Sequence, residues 1–409
     1  MPKICLTTLE YPPDVGGVGE SASRIAKMLL SLGYEVHVVV FRAIFRRENQ
    51  SAQDGHFYRS YQETSHTEGV TVHRLYPAVR SLRGKEQDYL WDIYNQLKSL
   101  QQQYQFDLFH AFFINEMGFI STLLAKESDR PIINSVRGAD LHKHIFDPKQ
   151  HSHICWTLQN SDWTTFVSRD LRKRARVLVP EISTRSSAFW NSIHPIDFQG
   201  LPTPPLVNRL QGTVITSTGN FRDKKGLEYL IDACCELARE TITLLLVGNF
   251  VEKEKSYWEQ ELADSRIADQ IVIAGKVSRE EALAYLPYTD IFAIPSLNDG
   301  CPNALLEAML AGKAIVGTNV DAIGEIIESE VDGLLVNPGS SQELTIALRR
   351  LIEQPQLQKQ FGFAAQAKVR SQLAPSVERQ NWQRIYQQLL GSAIALEEMV
   401  DPSNIVQFS

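Results

Sequence analysis

Short apolar runs alternate with segments of helical periodicity along most of this chain. Between Glu20 and Leu32 the apolar residues repeat every three or four positions and the pattern stops at Gly33, which predicts a helix. The order of strand, helix and strand around this segment is typical of a parallel sheet. The strands predicted in the first half are Lys3–Leu9, Glu35–Phe41, Val70–Leu75, Leu108–Ala111, Ile132–Val136 and Trp163–Val167.

The same alternation restarts in the second half, beyond the proline-rich segment Leu201–Leu206, which we interpret as a linker. A helix is predicted at Leu227–Leu237, and the amphipathic pattern Val377–Leu390 predicts a helix near the end of the chain. The strands predicted in this half are Thr213–Ser217, Thr243–Val247, Ile271–Ala274, Ile291–Pro295, Ala314–Gly317 and Gly333–Val336.

These patterns predict an α/β protein with two Rossmann-like domains that face each other across a cleft. We expect the first domain at residues 1–200 and the second at 205–375, with residues 376–391 as a separate helical segment. Ligands of such sheets bind at the carboxyl ends of the strands. The polar stretch between Arg42 and Gly69 has weak periodicity, and we interpret it as a mobile substrate-facing loop or as a disordered segment.

Length and composition agree with two soluble domains. The chain has 409 residues, more than one hydrophobic core usually serves, and 43% of them are hydrophobic. The net charge of −7 argues against general nucleic-acid binding. We expect a cytoplasmic protein with reduced thiols, because no signal peptide or membrane span is evident and the five cysteines form no metal-binding pattern.

The segment Asp299–Glu307 is the most informative part of the sequence. Pro302 suits a first helical position, an apolar helical pattern covers Ala304–Ala311, and Gly312 suits the left-handed stop. The exposed amides at the start of such a helix form a natural anion site. Glu307, about one turn inside, could accept hydrogen bonds from vicinal hydroxyl groups, although a helical glutamate is more often simply solvated.

A second candidate is the loop Gly219–Gly226, which leaves one strand and enters a helix with three cations, Arg222, Lys224 and Lys225. Cleavage of a sugar–phosphate bond builds negative charge on the leaving group, and fixed cations stabilise that charge. A solvated basic turn is the alternative.

The third candidate is the glycine-rich loop Gly16–Gly19, which precedes the first helix. Gly17, Gly19 and Ala22 fit the spacing of a dinucleotide-binding fingerprint. Six residues separate the strand from Gly16, however, and the second strand ends at Arg42 instead of an acidic residue that could bind a ribose. A loop whose backbone approaches a phosphate or a sugar is the better interpretation.

Taken together, these segments resemble the retaining glycosyltransferases of family four, which have the GT-B fold, and the likeness extends over nearly the whole chain. Asp299–Glu307 matches that family's E-x7-E signature. The further matching segments are EYPPDVGGVGE near the N-terminus, VRGAD at Val136–Asp140, Val167-Ser168 and the loop Gly219–Gly226.

The resemblance implies a role for each matching residue. Glu307 would bind the donor ribose, Lys225 the diphosphate, and Asp299 would lie beside the transferred sugar. Catalytic roles fall to Lys225, Asp299, Arg137 and Arg222. The implied donor-binding set is Gly16, Gly17, Lys225, Gly300, Asn303, Ala304, Leu305 and Glu307. No metal ion and no cofactor is implied, and the helix Val377–Leu390 would cross back to the first domain with Trp382 and Tyr386 as packing anchors.

Four positions depart from the family pattern, namely Asp299 for glutamate, Asn220 for arginine, Arg137 for histidine and His194 for aspartate. Arg137 stays charged and cannot act as a general acid or base. It either binds a sugar hydroxyl or phosphate, or forms an ion pair with Asp140. His110 and Asp140 are candidates for the acceptor side, with a structural role as the alternative for His110, and Glu325 matches a position near the donor.

The expected activity is transfer of a sugar from a nucleotide-diphosphate donor to a hydroxyl acceptor, which could be a glycan, a lipid or a small molecule. A nucleotide-sugar epimerase, a catalytically weakened nucleotide-sugar binding protein and an NADP oxidoreductase are the alternatives. The basic segments Arg169–Arg176 and Phe41–Arg47 favour solvated surfaces, with peripheral contact to an anionic membrane face as the alternative.

Overall fold

The computed structural model describes residues 1–14, 16–42, 59–78 and 86–391, and it divides into two compact units. The first unit contains residues 1–189 together with the chain from Arg379 onward, and the second contains Trp190–Glu378. The proline-rich segment Leu201–Leu206 therefore lies inside the second unit.

In the described residues the first unit has an eight-stranded sheet in the order β3-β4-β2-β1-β5-β6-β7-β8. Only β3 runs antiparallel to its neighbour within this sheet. The strands are β1 (Lys3–Thr8), β2 (Glu35–Phe41), β3 (Tyr61–Thr67), β4 (Val70–Tyr76), β5 (Leu108–Phe112), β6 (Ile132–Val136), β7 (Trp163–Phe166) and β8 (Ser186–Ala188). The helices are α1 (Gly17–Ser31), α2 (Glu86–Tyr104), α3 (Glu116–Glu127), α4 (Ala139–His142), α5 (Pro148–Asn160) and α6 (Arg169–Leu178).

The second unit has a six-stranded parallel sheet in the order β11-β10-β9-β12-β13-β14. Its strands are β9 (Thr213–Thr218), β10 (Ile242–Val247), β11 (Ile271–Gly275), β12 (Ile291–Ile294), β13 (Ala314–Thr318) and β14 (Leu334–Val336). The helices that follow are α7 (Leu227–Cys235), α8 (Lys255–Asp264), α9 (Arg279–Ala284), α10 (Asn303–Leu310), α11 (Asp321–Ile326), α12 (Ser341–Glu353), α13 (Pro355–Gln372) and α14 (Pro375–Leu390).

Both sheets reverse their strand order at one central pair of strands. In the first unit the reversal lies between β1 and β5, and in the second it lies between β9 and β12. Loops that leave the carboxyl ends of such a pair diverge to opposite sides and leave a crevice, where ligands of open α/β sheets bind. The loops after β9 and β12 contain the basic segment and the Asp299 motif, so the topology brings these two candidates to the crevice of the second sheet. The glycine-rich segment follows β1, at the crevice of the first sheet.

The predicted strands are confirmed, and β2 and β6 begin and end at the predicted residues. Both strands are almost completely buried, because helices cover both faces of a parallel sheet. Val38 and Val40 pack with Ile25 and Leu29 of α1, which explains why the helical pattern and the continuous apolar run occur next to each other in the sequence.

The expectation of a mobile or disordered segment at 42–69 is wrong for its last part. Tyr61–Thr67 forms β3, which pairs with β4 through a two-residue turn at Glu68 and Gly69. Both turn residues have positive φ, 52° and 82°, as the tight turn of a β-hairpin requires. Every residue of β3 is exposed, so the strand lacks the apolar signal on which the prediction depended. Residues 43–58 of this segment lie outside the described residues.

Helix α14 belongs to the first unit from Arg379 onward. Trp382, Ile385 and Tyr386 are buried in the same core as β1, β2 and α1. The packing places α14 from Arg379 onward against the first sheet, and its anchors include the two aromatic residues that the resemblance implied.

The structure bears on two expectations from the sequence, the one about membrane spans and the one about the cysteines. In the described residues, no helix is both long and apolar enough to cross a bilayer. All five cysteines are free thiols, and Cys5 and Cys234 are buried.

In α6, Arg174 pairs with Asp170 and Arg172 donates to Ser186 Oγ, which ties part of the basic segment to the protein itself. Of the segment Phe41–Arg47, all but the first two residues lie outside the described residues.

Candidate functional site

The two loops at the crevice of the second sheet touch each other directly. The amide of Leu297 donates to the carbonyl oxygen of Lys224 at 2.8 Å, which joins the loop after β12 to the loop after β9. Gly226 has φ of 62°, and a Cβ atom there would collide with the carbonyl oxygen of Pro295. Only glycine permits both this backbone conformation and this close approach.

Two lysines and a carboxylate form the centre of the site. Lys225 Nζ lies 2.5 Å from Asp299 Oδ2, and Lys224 Nζ lies 3.9 Å from Asp299 Oδ1. Burial would raise the pKa of Asp299, but Lys225 and Lys224 outweigh it and hold the pKa below its usual value. Burial also lowers the pKa of Lys224, against the opposing effect of Asp299. Arg222 is exposed on the same loop and adds to the positive field at Asp299.

Helix α10 begins at the end of the Asp299 loop and runs from Asn303 to Leu310. Pro302 precedes the helix in an extended conformation as its N-cap, so its expected place at the first helical position is wrong. Gly312 has φ of 69° and ends the helix as predicted. The first amides of a helix have no partner within it, so Asn303, Ala304 and Leu305 are in the region suited to an anion. Leu305 N also donates to the carbonyl oxygen of Pro302, at 3.1 Å.

Glu307 lies one turn into α10 and forms an ion pair that the sequence did not indicate. Nε and Nη2 of Arg279 donate to Glu307 Oε1 at 3.0 and 2.9 Å. The glutamate side chain is 15% exposed and the arginine 52%. Arg279 is the first residue of α9, which follows an edge strand, so no local pattern could have placed it beside a residue of α10.

The sequence reasoning missed three further residues of the second unit, of which two support the Asp299 loop and one contacts Glu325. Asn191 Nδ2 donates to the carbonyl oxygen of Cys301 at 3.2 Å and to Asn303 Oδ1 at 3.3 Å. Asp321 Oδ2 accepts from the amide of Asp299 at 2.9 Å. Trp190 Nε1 donates to Glu325 Oε2 at 3.1 Å. This bond fixes the side chain of the glutamate that the resemblance placed near the donor. The sequence signal that could have indicated Asp321 is a polar residue shortly after a buried strand, here β13.

The glycine-rich loop of the first unit is tied to neighbouring strand ends. Asp14 Oδ2 accepts from Arg42 Nη1 at 2.9 Å, and both side chains are mostly buried. Arg74 Nη2 donates to the carbonyl oxygen of Pro12 at 2.8 Å. Gly17 is the first residue of α1 and Gly16 is its N-cap, where a Cβ atom would collide with the Glu10 carboxylate. Arg42, which counted against a dinucleotide site, thus holds this loop.

Arg137 and Asp140 meet through the backbone. Asp140 is fully buried, and its carboxylate accepts from the amides of Ile114 at 2.8 Å and Arg137 at 3.0 Å. Burial raises the pKa of Asp140 in spite of these bonds. The guanidinium of Arg137 lies 5.0 Å from the centre of the Phe112 ring, a distance typical of a cation–π contact. Asp140 therefore joins the loops that follow β5 and β6, and the Phe112 ring contacts the arginine.

His110 has a structural position, which corrects its proposed place on the acceptor side. The side chain is fully buried, and its ring nitrogens lie 2.7 Å from Tyr386 Oη and 2.7 Å from Ser135 Oγ. Burial, with a smaller effect from Arg137, lowers the pKa of His110 to about 3. Because both nitrogens of this neutral imidazole bond to groups within the protein, neither is available to a ligand.

Chemically, the second unit combines fixed cations, helix amides and carboxylates at one crevice. This set can bind a phosphorylated ligand with hydroxyl groups, because cations and amides attract phosphate oxygens and carboxylates accept from hydroxyls. In the described residues, no group of three or more His, Cys, Asp and Glu side chains could hold a metal ion.

Two family models match the chain. The model of Glycosyltransferase Family 4 matches residues 15–182, and the model of Glycosyl transferases group 1 matches residues 212–354. The first match begins in the glycine-rich loop, and the second includes Lys225, Asp299 and Glu307.

Known proteins resemble this one over almost its whole length. N-acetyl-α-D-glucosaminyl L-malate synthase of Bacillus anthracis is 23% identical over 390 residues, which cover 92% of this chain and 95% of that protein. Sucrose-phosphate synthase from Thermosynechococcus elongatus has a structure with a TM-score of 0.74 at 16% identity, covering 96% of this chain and 100% of that chain. HepE of Anabaena, solved in complex with UDP-glucose, has a TM-score of 0.72 at 18% identity, covering 95% of this chain and 100% of that chain.

Proposed function

This chain belongs to the family 4 glycosyltransferases and has the GT-B fold, and from that premise we propose that it transfers a sugar from a nucleoside-diphosphate donor to a hydroxyl acceptor. We further propose that transfer retains the configuration of the anomeric carbon and needs no metal ion. The acceptor hydroxyl belongs to a glycan, a lipid or a small molecule.

The observation that carries the proposal is the cluster of Lys225, Lys224 and Asp299 beside the start of α10. Lys225 Nζ lies 2.5 Å from Asp299 Oδ2, so a carboxylate holds the lysine in the loop after β9. A diphosphate carries more negative charge than this carboxylate and accepts from several donors at once. It would therefore attract Lys225, Arg222 and the amides of Asn303, Ala304 and Leu305.

The remaining roles follow the chemistry of the donor. Glu307 accepts hydrogen bonds from the ribose hydroxyls, and Asp299 and Gly300 lie beside the transferred sugar. In the first unit, Gly16 and Gly17 are assigned to the donor phosphate or sugar. Arg137 is assigned to a hydroxyl or phosphate, since its charge is permanent and the Phe112 ring orients it.

The reaction is a group transfer in which one bond forms as another breaks. The acceptor oxygen forms a bond with the anomeric carbon, while the bond from that carbon to the phosphate oxygen breaks and its electron pair stays on the phosphate. The departing phosphate oxygen takes the proton of the acceptor hydroxyl on the same face of the sugar. Lys225, Arg222 and the amides of α10 stabilise the developing negative charge, so no protein nucleophile takes part.

The positive charge that stabilises the leaving group would come from side chains and helix amides instead of a metal ion. We therefore expect activity to persist after exhaustive dialysis against EDTA. A loss of activity that Mg²⁺ or Mn²⁺ restores would contradict the metal-independent part of the proposal.

The donor is to be identified with a thermal-shift screen of UDP, GDP and ADP and of their common sugars. A ligand that binds only the folded protein raises the melting temperature in proportion to the logarithm of its concentration over its dissociation constant. HepE was solved with UDP-glucose, so uridine compounds are tested first. If no nucleoside diphosphate raises the melting temperature at millimolar concentration, the proposed function fails.

Lys225→Ala then tests the phosphate site. We expect it to lower transfer or donor hydrolysis by at least about a hundredfold, as loss of a charge-stabilising group does in other active sites. Lys253→Ala is the control, because Lys253 belongs to the same unit and is 80% exposed. Equal turnover of Lys225→Ala and the parent would overturn the assignment of Lys225.

A further inference from the structure

The Asp299 loop continues the pairing of β12 and β13 beyond the ends of both strands. Thr318 is the last residue of β13, and the four residues after it run beside the loop that follows β12. Three hydrogen bonds join the two segments, and each involves a different pair of residues. They are Thr318 Oγ1 to Ser296 O (2.5 Å), Asp299 N to Asp321 Oδ2 (2.9 Å) and Ala322 N to Gly300 O (3.3 Å).

Asp321 stands out in this arrangement because of its backbone. Its φ is 43°, in the left-handed region that residues other than glycine rarely adopt. Aspartate tolerates this region better than most residues, but the conformation still costs free energy that a functional site often retains. The side chain is only 6% exposed, and its carboxylate points back at the Asp299 loop.

The bond from Asp299 N to Asp321 is a charge-assisted one, because its acceptor is a carboxylate. Such bonds are stronger than neutral ones, and this one fixes the backbone of the residue whose side chain reaches Lys225. The carboxylates of Asp299 and Asp321 both lie close to Lys224. Each of them raises the pKa of Lys224, against the lowering of that pKa by burial. Asp299 is thus held through its amide on one side and through its side chain on the other.

We propose that Asp321 is a positioning residue for Asp299, which sets the direction of the Asp299 carboxylate at the crevice. The hydrogen bonds carry this part of the inference by themselves. Its consequence for catalysis rests on the proposed function, in which Asp299 lies beside the transferred sugar. Asp321 would then affect the rate of sugar transfer more than the binding of the nucleotide, because Lys225 and Glu307 bind the diphosphate and ribose from other elements.

Two substitutions separate the role of the carboxylate from the role of the backbone. Asp321→Gly removes the acceptor and suits the positive φ, so the local fold is retained. Asp321→Asn keeps an acceptor oxygen and a residue type that tolerates the left-handed region. Asp197→Gly is the control, since Asp197 also accepts backbone amides, from Gln199 and Gly200, but is exposed.

The first measurement is amide hydrogen exchange of the donor-free protein in the peptide that contains Asp299. We expect Asp321→Gly to increase exchange at Asp299 about tenfold or more, Asp321→Asn to stay near the parent, and Asp197→Gly to leave this peptide unchanged. Unchanged exchange at Asp299 in Asp321→Gly would overturn the proposal. This measurement does not depend on the identity of the donor.

The second measurement compares binding with turnover, using UDP, GDP and ADP for binding and UDP-glucose, GDP-mannose and ADP-glucose for hydrolysis. We expect Asp321→Gly to keep the diphosphate affinity within about threefold and to lower kcat about tenfold, with Asp321→Asn close to the parent. A fall in affinity as large as the fall in kcat would overturn the positioning role. If the parent binds none of these nucleotides, the proposed function fails, and the exchange result alone decides the role of Asp321.

Discussion

Lys225 Nζ and Asp299 Oδ2 lie 2.5 Å apart although 74 positions separate the two residues in the chain. The contact arises because β9 and β12 are neighbours at the point where the strand order reverses, and each residue lies in the loop that leaves one of them. Their side chains are 20% and 13% exposed, so water screens the pair only partly. The pair therefore matters both for the stability of the donor-free protein and for any ligand that competes for Lys225.

Asp299→Asn should lower the free energy of unfolding at pH 7 by about 1–3 kcal/mol, because Lys225 loses a partly buried hydrogen-bonded partner. Since the folded-state pKa of Asp299 is below its ordinary value of 3.8, the stabilisation is complete above that value and is lost as the pH falls through the folded pKa. Urea unfolding at pH 7 measures the loss. A saturating nucleoside diphosphate should restore most of it by supplying Lys225 with another anion.

Glu330→Gln is the matched control for Asp299→Asn. Glu330 pairs with Arg350 at the surface, where both side chains are largely exposed. Exposed pairs contribute little, so we expect a clearly smaller loss of stability in this variant. Equal losses of stability in the two variants would show that the Lys225–Asp299 pair stabilises the protein no more than an exposed pair does.

Gly226→Ala should disrupt the junction of the two loops, since the new Cβ atom collides with the rigid carbonyl group of Pro295. We expect a loss of about 2–4 kcal/mol in the free energy of unfolding, from strain at positive φ together with overpacking. Gly275→Ala is the control, because Gly275 also has positive φ, 72°, but has open space where the Cβ atom would lie. Its loss should be about 1 kcal/mol, from the left-handed backbone alone. Urea unfolding measures both variants, and equal losses would contradict the argument.

Much of the fold could be predicted because buried parallel strands leave a continuous apolar run in the sequence. Glu35–Phe41 contains such a run at Val38–Phe41, and the bounds of this strand were predicted to the residue. Tyr61–Thr67 forms a strand without any buried residue, and only the Glu68–Gly69 turn marks it. Backbone pairing with β4 forms this strand, and the hydrogen-bonding groups of the backbone have no signature in side-chain patterns.

The candidate site could be predicted to the level of loops but not of side-chain pairs. Carboxyl ends of neighbouring strands meet, so Lys225 and Asp299 were expected near each other. The Arg279–Glu307 pair joins residues from elements that follow two different strands, and its geometry depends on the rotamers of two long side chains. The role of Asp321 depends on a backbone angle of one residue, which no periodicity encodes.

The histidine pair in the first sheet predicts a loss of stability in mild acid. His37 Nδ1 lies 3.0 Å from His73 Nε2, and both side chains are buried, with Glu35 and Thr64 at the outer nitrogens. Burial, with His37 and His66 as further causes, lowers the pKa of His73 from 6.5 to about 4. The unfolded chain therefore binds a proton that the folded chain excludes, so stability falls as the pH decreases from 6.5 towards 4.

For this one group, the free energy of unfolding should decrease by about 2 kcal/mol between pH 7.5 and pH 5. His73→Gln should remove that part of the pH dependence, as measured by urea unfolding at both pH values. His194→Gln is the control, because His194 is exposed and belongs to the second unit. A pH dependence that is the same in His73→Gln and the parent would show that His73 titrates normally in the folded protein.

Tyr386→Phe should weaken the attachment of α14 to the first unit. Tyr386 is fully buried, and its hydroxyl lies 2.7 Å from Nδ1 of His110, whose other nitrogen contacts Ser135. Removal of the hydroxyl leaves a buried imidazole nitrogen without this partner, at a cost of about 1–3 kcal/mol in the free energy of unfolding. Gln388→Ala, an exposed change on the same helix, should have little effect. Urea unfolding measures both, and hydrogen exchange should show faster opening of α14 in Tyr386→Phe alone. If α14 exchanges at the parent rate in that variant, packing by Trp382 and Ile385 holds the helix without help from the hydrogen bond.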